Sequence, residues 1–519
     1  MSKTSSSIRS SEGVDKGRTR FRTQSGPFVE MINADRLSLP RPFTNRDTLS
    51  LWAVPILLVS LGLASAWLYY WARDLHRFTQ WIAAYISLFT GQLGIYLLAC
   101  YAVLRNPAPT SRTVSRITIA IVIVFAALFR IELVAQRPYL SSDAYRYVWD
   151  GRVQAAGINP YRYIPTAEEL KPLRDTAIYP QINRADYAPT PYPPMAQAIY
   201  FGVYLAYPLS VTAFKVAMSF FDLLTALAVM IVLKRLELDP ARAIIFAWHP
   251  LLIFESAHSG HVEAPFIAFL ALALLAWTYK RPALTGISIG FAAMVKFYPA
   301  LLLPVFFFNP DRSAVEKAGL RSVRAWLASI RDSLTEKKNL LLLAAFVITV
   351  VLAYVPYWSV GLGVFGSLPN EFREEGFVDK GGRYFMLVLL RTLLPAPTSV
   401  FLAAAALALG GMGLWQMVRA KRNAMDVARG AVALIGIYLM ITTPRYSWYY
   451  AWILPFLCFI PNIGWIYLTG ASVLLYLLWY IPHAYPDLPL WLGASLYLPA
   501  LALLFWKRRR DGRLKTIPR

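Results

Sequence analysis

The sequence predicts an all-α integral membrane protein with about 12 to 14 transmembrane or re-entrant helices and a long first outer loop. Three observations carry that prediction. Of the 519 residues, 57% are hydrophobic and only 16% charged, against the roughly 25% charged residues of a soluble domain. Several apolar runs reach the ~20 residues needed to cross a hydrocarbon core of about 30 Å. The basic residues behind the net charge of +23 cluster in short segments beside those runs. That is the signature of cytoplasmic loops rather than of a nucleic-acid-binding surface, so no nucleic-acid partner is expected. Cys100 and Cys458 both lie inside apolar runs, which leaves no disulfide framework.

Residues 1–50 are Ser-rich, net basic and without apolar periodicity, and read as a disordered cytoplasmic tail. The membrane domain runs over residues 51–506. Leu51–Ala72, Trp81–Leu104 and Ile117–Ala135 read as three spans, with the basic Arg105–Arg116 connection inside. Three crossings from an inside N-terminus place the next loop, residues 136–194, on the outer side. Its first part can be helical, with Asp143, Arg146, Tyr147 and Asp150 along one face. Ile158-Asn159-Pro160 ends that helix, because a residue before proline is pushed out of the α region.

Met195–Leu209 reads as a short re-entrant or tilted piece. Val211–Leu233 goes in, Ala243–Ala257 goes out and Val262–Tyr279 returns. Pro282–Phe308 reads as a broken hairpin with Lys296 at its centre, far from the cytoplasm. Residues 309–339 form an amphipathic, basic cytoplasmic loop. Leu340–Trp358 leads to a second outer loop, 359–383, which holds Asn370-Glu371-Phe372-Arg373-Glu374-Glu375. Spans near Val400–Val418, Ala431–Thr443, Tyr449–Ile460, Trp465–Ile481 and Trp491–Trp506 finish the domain, and residues 507–519 form a basic cytoplasmic tail. No continuous polar pathway through the spans is expected, since the polar residues that could form one cluster in the outer loops and at one central lysine. A plasma (inner) membrane protein with both termini cytoplasmic follows.

Asp143 is the sharpest candidate for chemistry. It lies just beyond a span, at the depth of a lipid headgroup, where a carboxylate can take a proton from an acceptor hydroxyl. Ser-Ser-Asp is also a good helix start, so a capping role competes. Asp150 is spaced to pair with Arg146. Lys296 and Arg445 are cations that cost several kcal/mol at bilayer depth unless paired or hydrated, and each can hold a phosphate. A structural carboxylate for Lys296 and snorkelling for Arg445 are the alternatives. His258 and His261 stand beside Glu255 and Glu263, in a spacing that is no zinc signature, and read as hydrogen-bonding groups for substrate or for a base, with plain interfacial placement and a metal site as the alternatives. Arg152 and the aromatic Tyr161 complete the substrate-side candidates, although tyrosines also collect at membrane interfaces for no catalytic reason.

The stretch Asp143-Ala144-Tyr145-Arg146-Tyr147-Val148-Trp149-Asp150-Gly151-Arg152, with Asn159-Pro160-Tyr161 and Tyr192-Pro193-Pro194, resembles the first outer loop of the GT-C superfamily of membrane glycosyltransferases. It is most similar to the polyprenyl-phosphate-mannose-dependent mannosyltransferases of glycosyltransferase family 87. His249-Pro250-Leu251 with Gly260-His261-Val262-Glu263-Ala264, Val295-Lys296-Phe297-Tyr298-Pro299 and Pro444-Arg445-Tyr446-Ser447-Trp448-Tyr449 resemble later landmarks of the same group. The resemblance implies a GT-C fold, a polyprenyl-phosphate sugar donor, a lipid or envelope-glycan acceptor, and Asp143 as catalytic base on the periplasmic or extracellular side.

Lys296 and Arg445 would then meet the donor phosphate. Many GT-C enzymes carry two adjacent acids where this chain has Ser142-Asp143, so a metal-independent inverting transfer is the simpler reading. No cofactor is expected beyond the lipid-phosphate sugar, and a divalent metal is not favoured. A transporter or flippase of a lipid-linked sugar is the competing function, and a non-catalytic assembly partner the third.

Overall fold

The structure is a computed structural model that describes residues 45–77, 80–106, 111–309, 323–368, 370, 373, 382–479 and 487–514. The chain divides into two units, Met1–Leu51 and Trp52–Arg519, and every side-chain contact described below lies in the second. Every regular element among the described residues is helical. The principal helices are α1 (Asn45–Ala72), α2 (Trp81–Arg105), α3 (Arg112–Val134), α4 (Asp143–Ala155), α5 (Pro194–Ala206), α6 (Val211–Arg235) and α7 (Glu263–Thr278). They continue as α8 (Pro282–Val295), α9 (Val323–Thr335), α10 (Lys337–Tyr354), α11 (Thr398–Val418), α12 (Ala424–Thr442), α13 (Ile463–Ala471) and α14 (Leu490–Leu514).

Seven of the described stretches are long and apolar enough to cross a membrane, and they are carried by α1, α2, α3, α6, α10, α11 and α12. At 1.5 Å per residue the 25 residues of α2 or of α6 reach about 37 Å, enough to cross with tilt. Four shorter apolar stretches, Glu263–Thr278, Pro282–Val295, Ile463–Leu478 and Leu490–Phe505, pack among them. Such an all-helical layout is what a bilayer demands, since an unpaired backbone amide in hydrocarbon costs several kcal/mol. Caps begin several helices: Ser210 Oγ accepts from Ala213 N at 3.1 Å, and Asn423 Oδ1 accepts from Met425 N at 3.0 Å.

Several boundaries differ from the sequence reading. The first helix begins at Asn45, inside the segment expected to be a tail, and the last continues to Leu514. Most of residues 1–50, residues 310–322 of the basic loop, 515–519 of the final tail, and Glu371, Phe372, Glu374 and Glu375 of the second outer loop lie outside the described residues.

Ala243–Ala257 does not form one outward span. It is broken into a 3-10 turn Pro240–Ala243, the single turns Ile244–Ala247 and Pro250–Ile253, and a π-helical turn Phe254–His258. The cause is local: His249 precedes Pro250 and takes an extended ψ of 121°, and its Nδ1 accepts from Leu251 N at 3.2 Å. Broken backbone survives here because the whole segment is buried in protein. Tyr449–Ile460 is likewise not one span, but a 3-10 stretch Ser447–Ile453 followed by the turn Leu454–Leu457. The hairpin at Lys296 is broken as expected: α8 stops at Val295, Lys296 is extended (φ −145°, ψ 146°), and a 3-10 stretch resumes at Tyr298.

The expectation that such polar residues cluster in the outer loops and at one central lysine is corrected. Arg130, Lys215 and Asp222 lie fully buried within α3 and α6. Arg130 Nη2 is 3.0 Å from Asp222 Oδ2, while Lys215 donates to the backbone carbonyls of Leu133 and Gln136 at the end of α3. These charges escape a periodicity reading because long apolar neighbours on both sides mask them.

Candidate active site

Asp143 is the first residue of α4, where the unpaired amides and the positive end of the helix dipole favour a carboxylate. Asn183, from the far side of the same loop, donates to Asp143 Oδ1 at 2.6 Å and to Ser142 Oγ at 3.3 Å. The Asp143 side chain keeps 17% of its surface exposed, so its second oxygen stays reachable while the first is held.

Farther along α4, Arg146 and Asp150 form the ion pair their spacing predicts, Nε to Oδ1 at 2.9 Å. Both are buried. Arg146 also donates to Ala188 O at 3.1 Å, and Gln197 Nε2 donates to Asp150 Oδ2 at 3.1 Å and to Thr190 Oγ1 at 2.8 Å. The pair therefore fastens the returning loop and α5 to α4, and each Asp150 carboxylate oxygen accepts a hydrogen bond inside the protein.

Arg152 reaches Asp175 at 2.7 Å, and Asp175 in turn caps Ala177 N and Ile178 N. Tyr161 donates its hydroxyl to Tyr192 O at 2.7 Å and sets its ring edge-on to Tyr357. These two candidates shape the loop, and no contact brings either to Asp143.

A second segment closes on Asp143 from behind. Gly260 adopts φ +77°, and a Cβ there would meet Lys215 Cγ at 3.1 Å and Ala144 Cβ at 3.3 Å. The bare glycine lets the chain turn tightly against the start of α4. His261 follows, with Nε2 4.0 Å from Asp143 Oδ2 and Nδ1 3.2 Å from Glu255 Oε2. Glu255 comes from the π-helical turn and accepts hydrogen bonds from Ser447 Oγ and from Tyr476 OH, the latter at 3.0 and 3.2 Å to its two oxygens. A π-turn puts successive side chains out of the ordinary helical phase, and it is commonly found at functional sites. The Trp448 ring lies across the His261 ring, centroids 3.9 Å apart.

His261 feels opposing influences. Burial pulls its basicity down, but the Glu255 carboxylate, then the charges of Asp143 and Glu263, outweigh that and hold its pKa above the ordinary histidine value. An imidazolium here is compensated on both sides. His258 is fully buried as well, and its ring stands 4.1 Å from that of Tyr139.

Lys296 reaches the same neighbourhood from the break after α8. Its ammonium pairs with Glu263, the first residue of α7, and lies 4.7 Å over the Tyr449 ring. Within the 446–449 stretch the Tyr446 ring stacks on that of Trp448 at 4.6 Å. Arg445 precedes it and is 5% exposed.

The structure thus gathers Asp143, His261, Glu263 and Lys296 through one continuous run of contacts, with Ser447, Trp448 and Tyr449 bridging them. Sequence reasoning missed Asn183, Ser447 and Tyr476. Asn183 sits in an aperiodic loop that carries no signal, and Tyr476 looks like any interfacial tyrosine inside an apolar run.

Two family models match the chain. The N-terminal domain of the alpha-(1->6)-mannopyranosyltransferases matches residues 53–309, and glycosyltransferase family 87 matches residues 191–444. No curated relative matches it. The two matches overlap over the segment that carries Glu255, His261, Glu263 and Lys296, and the first also takes in Asp143. With its membrane-spanning helices, the chain is a membrane glycosyltransferase similar to family 87 and to the alpha-(1->6)-mannopyranosyltransferases.

Proposed function

We propose that the protein transfers a mannosyl group from a polyprenyl-phosphate donor to a hydroxyl of a lipid or envelope-glycan acceptor, with inversion at the anomeric carbon. The observation that carries this is the partly exposed Asp143 carboxylate, held by Asn183 at the start of a helix beside the buried His261. In a single displacement the acceptor oxygen attacks the anomeric carbon and the bond from that carbon to the phosphate oxygen breaks. The acceptor proton passes to Asp143, and polyprenyl phosphate leaves with its electron pair. Lys296 and Arg445 supply positive charge where the leaving phosphate develops its own. Glu263 holds Lys296 in place between turnovers. No metal is invoked in this reading, and no step of it requires one.

The positive-inside pattern supports cytoplasmic termini and an outward-facing site in the plasma membrane. A donor tail that stays in the bilayer suits an acid one loop beyond a span. Replacing Asp143→Asn in purified protein, with polyprenyl-phosphate mannose and a lipid acceptor, is expected to cost ~10²- to 10⁴-fold in transfer rate. Full retention of transfer would remove Asp143 as base.

The buried Arg130, Lys215 and Asp222 are what a flippase reading would need. They are, however, closed on one another and on backbone carbonyls, which supports catalysis over transport. Flipped lipid without a new glycosidic bond in reconstituted vesicles would reverse that preference.

A further inference from the structure

α9 has its polarity arranged in an unusual way. Its protein-facing stripe is made by the buried Ser329 and Ser333 with the half-buried Trp326, and it meets α11: Ser333 Oγ donates to Met417 O at 3.2 Å, and the Trp326 ring packs on Trp415 at 6.0 Å. Its large apolar side chains point elsewhere. Val323 is 73% exposed, Leu327 63% and Leu334 40%, and with Ile330, which is partly buried against the core at the edge of this face, they follow the i, i+4, i+7, i+11 spacing of one stripe. At about 100° per residue these four fall within an arc of roughly 60°. Arg324 and Arg331 project about a quarter-turn away, on the side opposite the protein contact, and Asp332 lies on the far side from the apolar stripe.

α9 ends one residue before α10 begins, and α10 exposes Leu340 and Leu341 within its first turns. The exposed apolar surface of α10 therefore starts about a turn and a half beyond the end of α9. A 13-residue helix is about 20 Å long, too short to span. We infer that α9 lies in the plane of the membrane surface. Its exposed Val323, Leu327 and Leu334 sink among the acyl chains, and Arg324 and Arg331 bind the phosphates of anionic lipids. The charge order fits: apolar stripe down, cations at headgroup level, Asp332 in water. Arg331 and Asp332 are 3.1 Å apart, both exposed, so a lipid phosphate competes for Arg331 only against a solvated partner.

The test uses the full chain with Leu327→Cys or Asp332→Cys, each labelled with a small fluorophore. Cys100 and Cys458 are buried, so labelling falls on the introduced thiol. The proteins go into nanodiscs of phosphatidylcholine with about one-third phosphatidylglycerol, and quenching by doxyl-lipid is compared with quenching by aqueous iodide. The label at 327 should be quenched about threefold more by doxyl-lipid than the label at 332, with the reverse for iodide. Strong iodide quenching at 327 overturns the inference in favour of a water-exposed face. Protection at 327 from both quenchers overturns it in favour of a second copy or a protein partner. Removing phosphatidylglycerol should reduce doxyl quenching at 327, and Arg324→Gln with Arg331→Gln should erase that difference. Lipid quenching that ignores both changes would overturn the headgroup assignment.

Discussion

His261 Nδ1 stands 3.2 Å from Glu255 Oε2, and both side chains are almost wholly buried. The pair joins a tight turn to a π-helical turn and stands directly behind Asp143. Because Glu255 is already held by Ser447 and Tyr476, the position of the imidazole is set from the protein interior and not by the substrate.

The first prediction concerns pH. The folded-state pKa of His261 is raised above its ordinary value of 6.5, burial opposing and the Glu255 carboxylate prevailing. A group with a raised folded pKa contributes stability that is fully present below its unfolded pKa and is lost as pH rises through the folded one. Thermal stability in detergent should therefore fall as pH climbs from about 6.5 toward the raised value. In Glu255→Gln the imidazole loses its main counter-charge, so that slope should flatten. A wild-type slope that persists unchanged in Glu255→Gln would contradict the assignment.

Gly260 and Gly157 form a controlled comparison. Both have positive φ, +77° and +75°, but a Cβ at Gly260 meets Lys215 and Ala144 whereas one at Gly157 meets nothing within 4 Å. Gly157→Ala should cost about 1–2 kcal/mol of backbone strain and leave transfer intact. Gly260→Ala adds a contact that pushes His261 away from Asp143, so its transfer rate should drop well beyond its loss of stability. Parallel melting and rate measurements on the two variants decide this.

For Arg130 and Asp222 the expected behaviour is that of a buried ion pair, 2% and 0% exposed. Truncating one partner strands the other charge, so Asp222→Ala should destabilise by about 3–5 kcal/mol, and Arg130→Met with Asp222→Leu together by less than either single change. Chemical denaturation in mixed micelles reads the cycle. Additive single effects would show that the two charges do not depend on each other.

Lys296 tests the phosphate assignment within the proposed reaction. Lys296→Met removes positive charge that the proposal places at the leaving group, and should lower kcat about 10²-fold with a smaller change in KM for the lipid donor. Glu263→Gln keeps the ammonium but loosens it, and should be the milder variant. An unchanged kcat in Lys296→Met, with the protein folded, would shift the role to Arg445.

Much of this protein was legible in its residues. Apolar length and basic flanks determine an all-helical membrane protein, because a bilayer leaves the backbone no other way to satisfy its amides. The i, i+4 spacing of Arg146 and Asp150 determines their pairing, since neighbours on a helix need only the helix to meet. The charged turn after α3 marks Asp143, and the extended backbone at Lys296 follows from a polar residue and a nearby proline in an apolar hairpin.

Tertiary structure alone decided the rest. Asn183 reaches Asp143 across 40 residues, and Ser447 reaches Glu255 across 192; no local pattern encodes such distances. The buried Arg130–Asp222 pair joins two helices 92 residues apart, and each partner alone reads as an isolated charge in an apolar run. Arg152 and Tyr161, expected to bind substrate or to support the residues that do, are held by Asp175 and by the backbone of Tyr192. Local physics determines which elements form and where a charge is costly. Only packing determines which distant group offsets that cost, and so it is packing that sets His261 behind Asp143.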